Sequence, residues 1–122
     1  LVGATLSGFL TVALGAFGAH ALRELVPAAL MTAYQTGIEY QGIHSVAVLG
    51  IGLLVHHLPA SNWIKRSGWL MLLGILLFSG SLYLMAITGI TALGMITPIG
   101  GLCLLAGWLS LLVGLISAKT AD

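Results

Sequence analysis

The chain has 122 residues, 59% of them hydrophobic and only 6% charged, with a net charge of +1. A soluble domain carries about 25% charged residues to face water, so lipid must solvate most of this surface. The small charge and the lack of a basic patch exclude nucleic acid as a partner. A single cysteine, Cys103, excludes an intrachain disulfide and a cysteine-rich metal site.

Leu1 to Leu22 reads as a first membrane span, closed by Arg23-Glu24. Ala19-His20-Ala21 fits a signal-peptide cleavage pattern, but no basic stretch precedes it, so the segment is read as a retained span. The chain opens at Leu1 rather than at methionine, and an upstream start is expected. Pro27 suits the first turn of a new helix. The mixed stretch 28–37, with Tyr34, Gln35 and Thr36, reads as an interfacial connector or an early extension of a second span at about 38–57. Leu58-Pro59-Ala60-Ser61-Asn62 is turn chemistry, and Trp63 with Lys65-Arg66 forms an interfacial anchor.

No charged residue occurs between Arg66 and Lys119, a stretch more than twice the roughly 20 residues that one crossing needs. It must cross, turn and cross back. A third span at about 68–87, a turn at Thr88-Gly89-Ile90-Thr91 and a fourth span at about 95–117 follow. The expected architecture is one all-α domain over residues 1–122, an integral membrane four-helix bundle. Four spans put both termini on one side. Lys65, Arg66 and Lys119 fall on that side and Arg23 on the other, which by the positive-inside rule makes both termini cytoplasmic.

Two stripes of small residues mark packing surfaces. Gly100, Cys103, Gly107, Ser110, Gly114 and Ser117 alternate three and four apart, a period of about 3.5 that gives a left-handed crossing. Gly3, Ser7, Thr11, Gly15 and Ala19 repeat every four residues, which suits right-handed small-xxx-small contacts. Each stripe could meet a helix of its own chain or of a neighbour. Besides membrane lipid, the expected partner is a second copy of the chain, giving a homo-oligomer, or a larger membrane complex.

Glu39 is the one acid in the hydrophobic body of the chain. An ionisable group in a span costs about 3 kcal/mol or more unless paired, hydrated or neutral, so it marks a candidate site. At about 100° per residue Gln35 and Glu39 share a face, while Tyr40, Gln41 and His44 form a second, His44 about 140° from Glu39. His20, Ser79, Ser81, Tyr83 and Thr97 converge on the same leaflet in the four-span topology. One reading is structural: Glu39, neutral or paired with His20 or His44, ties helices together. The other is a proton or small-ligand vestibule, with Glu39 titrating and His20 or His44 as relay. Zinc held by His20, Glu39 and His44 has the right donors, but the angular offset makes joint ligation awkward, so no metal and no cofactor is expected. No nucleophile–base pair, phosphate loop or paired carboxylates can be assembled, and the chain is not expected to be an enzyme.

Four ordered phrases carry a resemblance: Gly15-Ala16-Phe17-Gly18-Ala19-His20, Thr36-Gly37-Ile38-Glu39-Tyr40-Gln41 with His44, Phe78-Ser79-Gly80-Ser81-Leu82-Tyr83, and Thr97-Pro98-Ile99-Gly100-Gly101 with Ala106-Gly107-Trp108. Over its whole length the chain resembles the YgdD/YwdK-like membrane proteins, the DUF423 family, related to eukaryotic transmembrane protein 256. The resemblance implies a small four-span protein of the bacterial inner membrane and brings no activity, substrate or catalytic residue. Two functions remain: an accessory or structural protein assembling through its small-residue stripes, or a proton-linked or small-solute transporter using the vestibule around Glu39 and His44. A lipid or quinone groove in the outer leaflet is a third.

Overall fold

The computed structural model describes residues 1–58 and 61–120, the side chains of Lys119 and Thr120 excepted. Helix α1 runs Val2–Phe17 and continues through a π-helical turn, Gly18–Leu22. Helix α2 is Ala28–His57 and α3 is Asn62–Thr88. A 3-10 turn, Thr91–Met95, leads into α4, Thr97–Thr120. All four are long and apolar enough to cross a membrane, and no strand occurs among the described residues.

The second helix starts at Ala28, so the stretch 28–37 extends it rather than lying at the interface as a connector. Its polar residues do not break the helix. Thr32 and Thr36 donate their hydroxyls to the carbonyls one turn back, of Ala28 and Thr32. Tyr34 is buried and donates to the Leu14 carbonyl of α1 at 2.5 Å. At 30 residues α2 is about 45 Å long, more than one perpendicular crossing of a hydrocarbon core of about 30 Å needs.

The third helix likewise starts earlier than hydropathy suggests, at Asn62. Trp63, Lys65 and Arg66 occupy its first turns, and the Arg66 guanidinium lies 5.4 Å from the Trp63 ring centroid. Gly89 ends α3 in the left-handed conformation, φ 73°, which a side chain would disfavour. The expected turn at Pro59-Ala60 lies outside the described residues.

Each helix packs chiefly on its neighbours in sequence, with α3 between α2 and α4 and α1 against the other flank of α2. The antiparallel register follows from close approaches: Gly15 of α1 to Ile38, Gly68 of α3 to Ile51, and Gly74 of α3 to Leu104. Gly100, Gly107 and Gly114 of the α4 stripe all lie against α3, at Phe78, Met71 and Ile64. In the α1 stripe, Thr11 meets Gly42 of α2, Gly15 meets Ile38, and Gly3 faces Leu72 of α3. Ala19 and Ser117 are exposed and Cys103 is half-buried. Both stripes therefore serve contacts within the chain.

Two apolar clusters fill the interior, one around Ile51, Ile64, Met71, Ile75 and Leu104, the other around Leu22, Met31, Tyr34 and Ala86. Outside them, side chains such as Val2, Phe9, Trp69 and Leu102 stay exposed. That inversion suits a solvent of lipid tails, where close packing and interhelical hydrogen bonds hold helices together.

Candidate polar sites between the helices

The polar residues sort into an inner lock, an aromatic groove and an exposed acidic face. The lock joins α1, α2 and α3. Gln41 donates from Nε2 to the Ser7 carbonyl at 3.1 Å and to its hydroxyl at 3.3 Å. Ser45 donates to the Gln41 carbonyl at 2.5 Å, which uses its one proton, so Ser7 is the donor in the 2.7 Å Ser7–Ser45 bond. Tyr83 donates to Gln41 Oε1 at 2.5 Å, and Ser79 to the Gly37 carbonyl at 2.7 Å.

Gly37 makes this approach work. A Cβ there would stand 2.7 Å from the Tyr83 ring, so a side chain would push α3 away. The Tyr83 and Tyr34 rings lie 5.1 Å apart beside the lock.

The second cluster lies between α2 and α4. Trp108 donates from Nε1 to His44 Nε2 at 3.0 Å, and His44 Nδ1 meets the Tyr40 carbonyl at 2.7 Å. An indole nitrogen can only donate, so Nε2 is the acceptor, and the ring is neutral with its proton on Nδ1. Adding a proton or a metal at Nε2 requires breaking the Trp108 bond.

Tyr40 stacks on Phe78 at 4.6 Å, and these rings with His44, Trp108 and Pro98 line a groove of about 580 Å³. Nearby, Ser81 donates to the Phe78 carbonyl and so accepts from Thr97, at 2.6 Å, tying the start of α4 to α3.

Glu39 and Gln35 take neither position. Both are exposed and line a shallow groove of about 200 Å³ between α1 and α2, with Gly15, Ala19 and Ile38. Glu39 makes no hydrogen bond or ion pair among the described residues. His20 is exposed at the far end of α1, within the π turn.

In depth, Gly68–Ile51 contact sets Arg66 level with Leu53. Glu39 then stands about 21 Å from the Arg66 level and about 27 Å from His57, towards the end of the bundle that holds Arg23 and Glu24.

Of the residues singled out from the sequence, Gln41, Ser79 and Tyr83 come together in the lock. Tyr40 and His44 come together in the groove, and Ser81 with Thr97 beside it. Glu39 meets neither His20 nor His44. Among the described residues no three metal-ligating side chains converge.

Sequence reasoning passed over Ser45 and Trp108 as polar partners. Ser45 had a local signal, one turn after Gln41. Trp108 had none, because its bond crosses from α4 to α2.

Residues 14–101 match the family model described as a protein of unknown function, DUF423. The chain belongs to the DUF423 family. It is 44% identical to the inner membrane protein YgdD of Escherichia coli, over 98% of this chain and 90% of that one. It is 37% identical to the membrane protein YwdK of Bacillus subtilis, over 88% of each, and 44% identical to a Haemophilus influenzae membrane protein over 94% and 91%. No solved structure matches. This family member is a multi-pass protein of the bacterial inner membrane.

Proposed function

We propose that the chain is an accessory subunit of the inner membrane, assembling with itself or with a larger complex through the α1–α2 face. The observation that carries this is Glu39: exposed within a span, with no hydrogen bond or ion pair among the described residues. A carboxyl group facing lipid is costly, and a neighbouring helix offering donors, or water held at a subunit boundary, relieves it. Ala19, exposed at the edge of the same groove, leaves room for another backbone to come close. The reading assigns no reaction to the chain. It sets both termini in the cytoplasm, since Lys65, Arg66 and Lys119 outnumber Arg23.

A transport reading needs Glu39 and His44 in one space. They open into separate grooves on either side of α2, and Trp108 occupies the acceptor nitrogen of His44.

Cysteine cross-linking in native membranes tests the proposal. In a Cys103→Ser background, Gln35→Cys is expected to form a defined adduct with a second copy or a larger partner, and Leu109→Cys on the lipid face of α4 is not. Equal yields at the two positions, or none at Gln35→Cys, would overturn the proposed face.

A further inference from the structure

At the end of the bundle opposite Glu39, a groove of about 490 Å³ opens between the start of α1, the end of α2 and the start of α3. Its trough is apolar, with Val48, Ile51, Val55 and Leu72, and Trp69 forms one wall. Gly52 and Gly68 line it as well, Gly52 packed against the Leu1 side chain and Gly68 against Ile51. Its rim carries His56 and Lys65. We infer that this groove is a binding site for an anionic phospholipid, the acyl chain lying in the trough and the phosphodiester against Lys65.

Three observations carry the assignment. The first is charge. Lys65 forms no ion pair among the described residues, and the acids Glu24 and Glu39 lie towards the opposite end of the bundle. The third acid, Asp122, lies outside the described residues.

The second is the division of labour between adjacent cations. Arg66 stacks over Trp63, whereas Lys65 lines the groove. The third is polarity along the groove. Cationic and imidazole groups stand where the helices leave the lipid, and the trough runs from them into the hydrocarbon layer.

That sequence of head and tail matches an amphiphile rather than a free anion, which has no use for the trough. A zwitterionic lipid fills the trough equally well but brings its own cation towards Lys65, so net negative charge is selected. One basic side chain near the membrane surface favours an anionic lipid by about 1 kcal/mol, which is about fivefold. This inference is independent of the proposed assembly face.

Native mass spectrometry of the detergent-solubilised protein, with equimolar phosphatidylglycerol and phosphatidylcholine of identical acyl chains, tests it. Wild-type protein is expected to retain phosphatidylglycerol about fivefold over phosphatidylcholine. Lys65→Gln should abolish that preference and Arg66→Gln should keep it, while Trp69→Ala should weaken both lipids alike. All three side chains are exposed, so the fold should tolerate the changes. Retention without preference, or a preference lost equally in Lys65→Gln and Arg66→Gln, would reduce the effect to general surface charge and overturn the site. Unchanged retention of both lipids by Trp69→Ala would remove the trough. Displacement by inorganic phosphate alone, with no lipid retained, would reassign the rim to a free anion and also overturn the inference.

Discussion

Gly100 gives the sharpest test of how α4 is held. A Cβ at this position would stand 2.3 Å from the Phe78 amide nitrogen, 2.7 Å from its Cα and 2.8 Å from the Leu77 carbonyl carbon. These are backbone atoms of a continuous helix and cannot swing aside. Ordinary contact begins at 3.4 Å, so Gly100→Ala requires α3 and α4 to part locally by about 1 Å. A gap of about 0.5–1 Å forfeits roughly a quarter to a half of each dispersion contact, and packing is what joins helices in lipid.

The Ser81–Thr97 bond one turn away also stretches. Overpacking costs typically about 1–3 kcal/mol, and the rigid obstruction places Gly100→Ala near 3. The neighbouring Gly101→Ala is the control, because its Cβ would meet only Phe78 ring carbons at 3.8 Å and beyond. Both substitutions gain the same intrinsic helix propensity, which cancels in the comparison. Unfolding in mixed micelles of increasing denaturing detergent measures the difference. Equal stability of the two variants would refute the claim that backbone contact at Gly100 anchors α4.

Trp108→Phe keeps a ring in the aromatic groove but leaves His44 Nε2 without its donor. It should destabilise by about 1 kcal/mol and make His44 reactive towards an imidazole-modifying reagent, read by mass spectrometry. An unreactive His44 in a folded variant would mean that Trp108 is not what covers it. Tyr83→Phe removes the Gln41 Oε1 bond and leaves the Gln41–Ser7 bonds. Its cost should stay within the roughly 0.6–1.7 kcal/mol of interhelical membrane hydrogen bonds, and should fall to near zero in a Gln41→Leu background when the double-mutant cycle is measured in the same micelles. Glu39→Leu should leave the thermal stability of the solubilised single chain unchanged or raised while lowering the cross-linking yield of Gln35→Cys. A loss of stability without loss of cross-linking would place the Glu39 partner inside the chain.

Four crossings were legible in the sequence because hydrocarbon thickness sets a length that Ser67 to Ala118 far exceeds for one helix. The extent of α2 was less so. Tyr34, Gln35 and Thr36 look interfacial by type, yet Thr36 satisfies itself on its own helix and Tyr34 finds an acceptor on α1. Only Gln35 stays exposed.

Helical angles separated Glu39 from His44 correctly, since that is a property of one helix. Which face then meets which neighbour depends on the order in which the helices pack. Spacing picks out Gly100, Gly107 and Gly114 as one face, but says nothing of α3 as its partner. The Trp108–His44 and Tyr83–Gln41 bonds are likewise products of register between helices, and no local pattern announces them.

That register also bears on why Glu39 points outward. About 100° around α2 and two residues on, Gln41 occupies the seam with Ser7, Ser45 and Tyr83, where every proton already has an acceptor. Among the described residues no buried side-chain nitrogen or oxygen lacks a hydrogen-bond partner. A carboxylate accepts but does not donate, so entering this seam would set it against acceptors whose donors are already committed. On the other side of α2, His44 has spent both ring nitrogens on Tyr40 and Trp108. Among the described residues, neither polar cluster flanking Glu39 on α2 has a donor to spare for it. Glu39 therefore stays on the exposed α1–α2 face, and it is on that face that the proposed assembly would supply it with a donor.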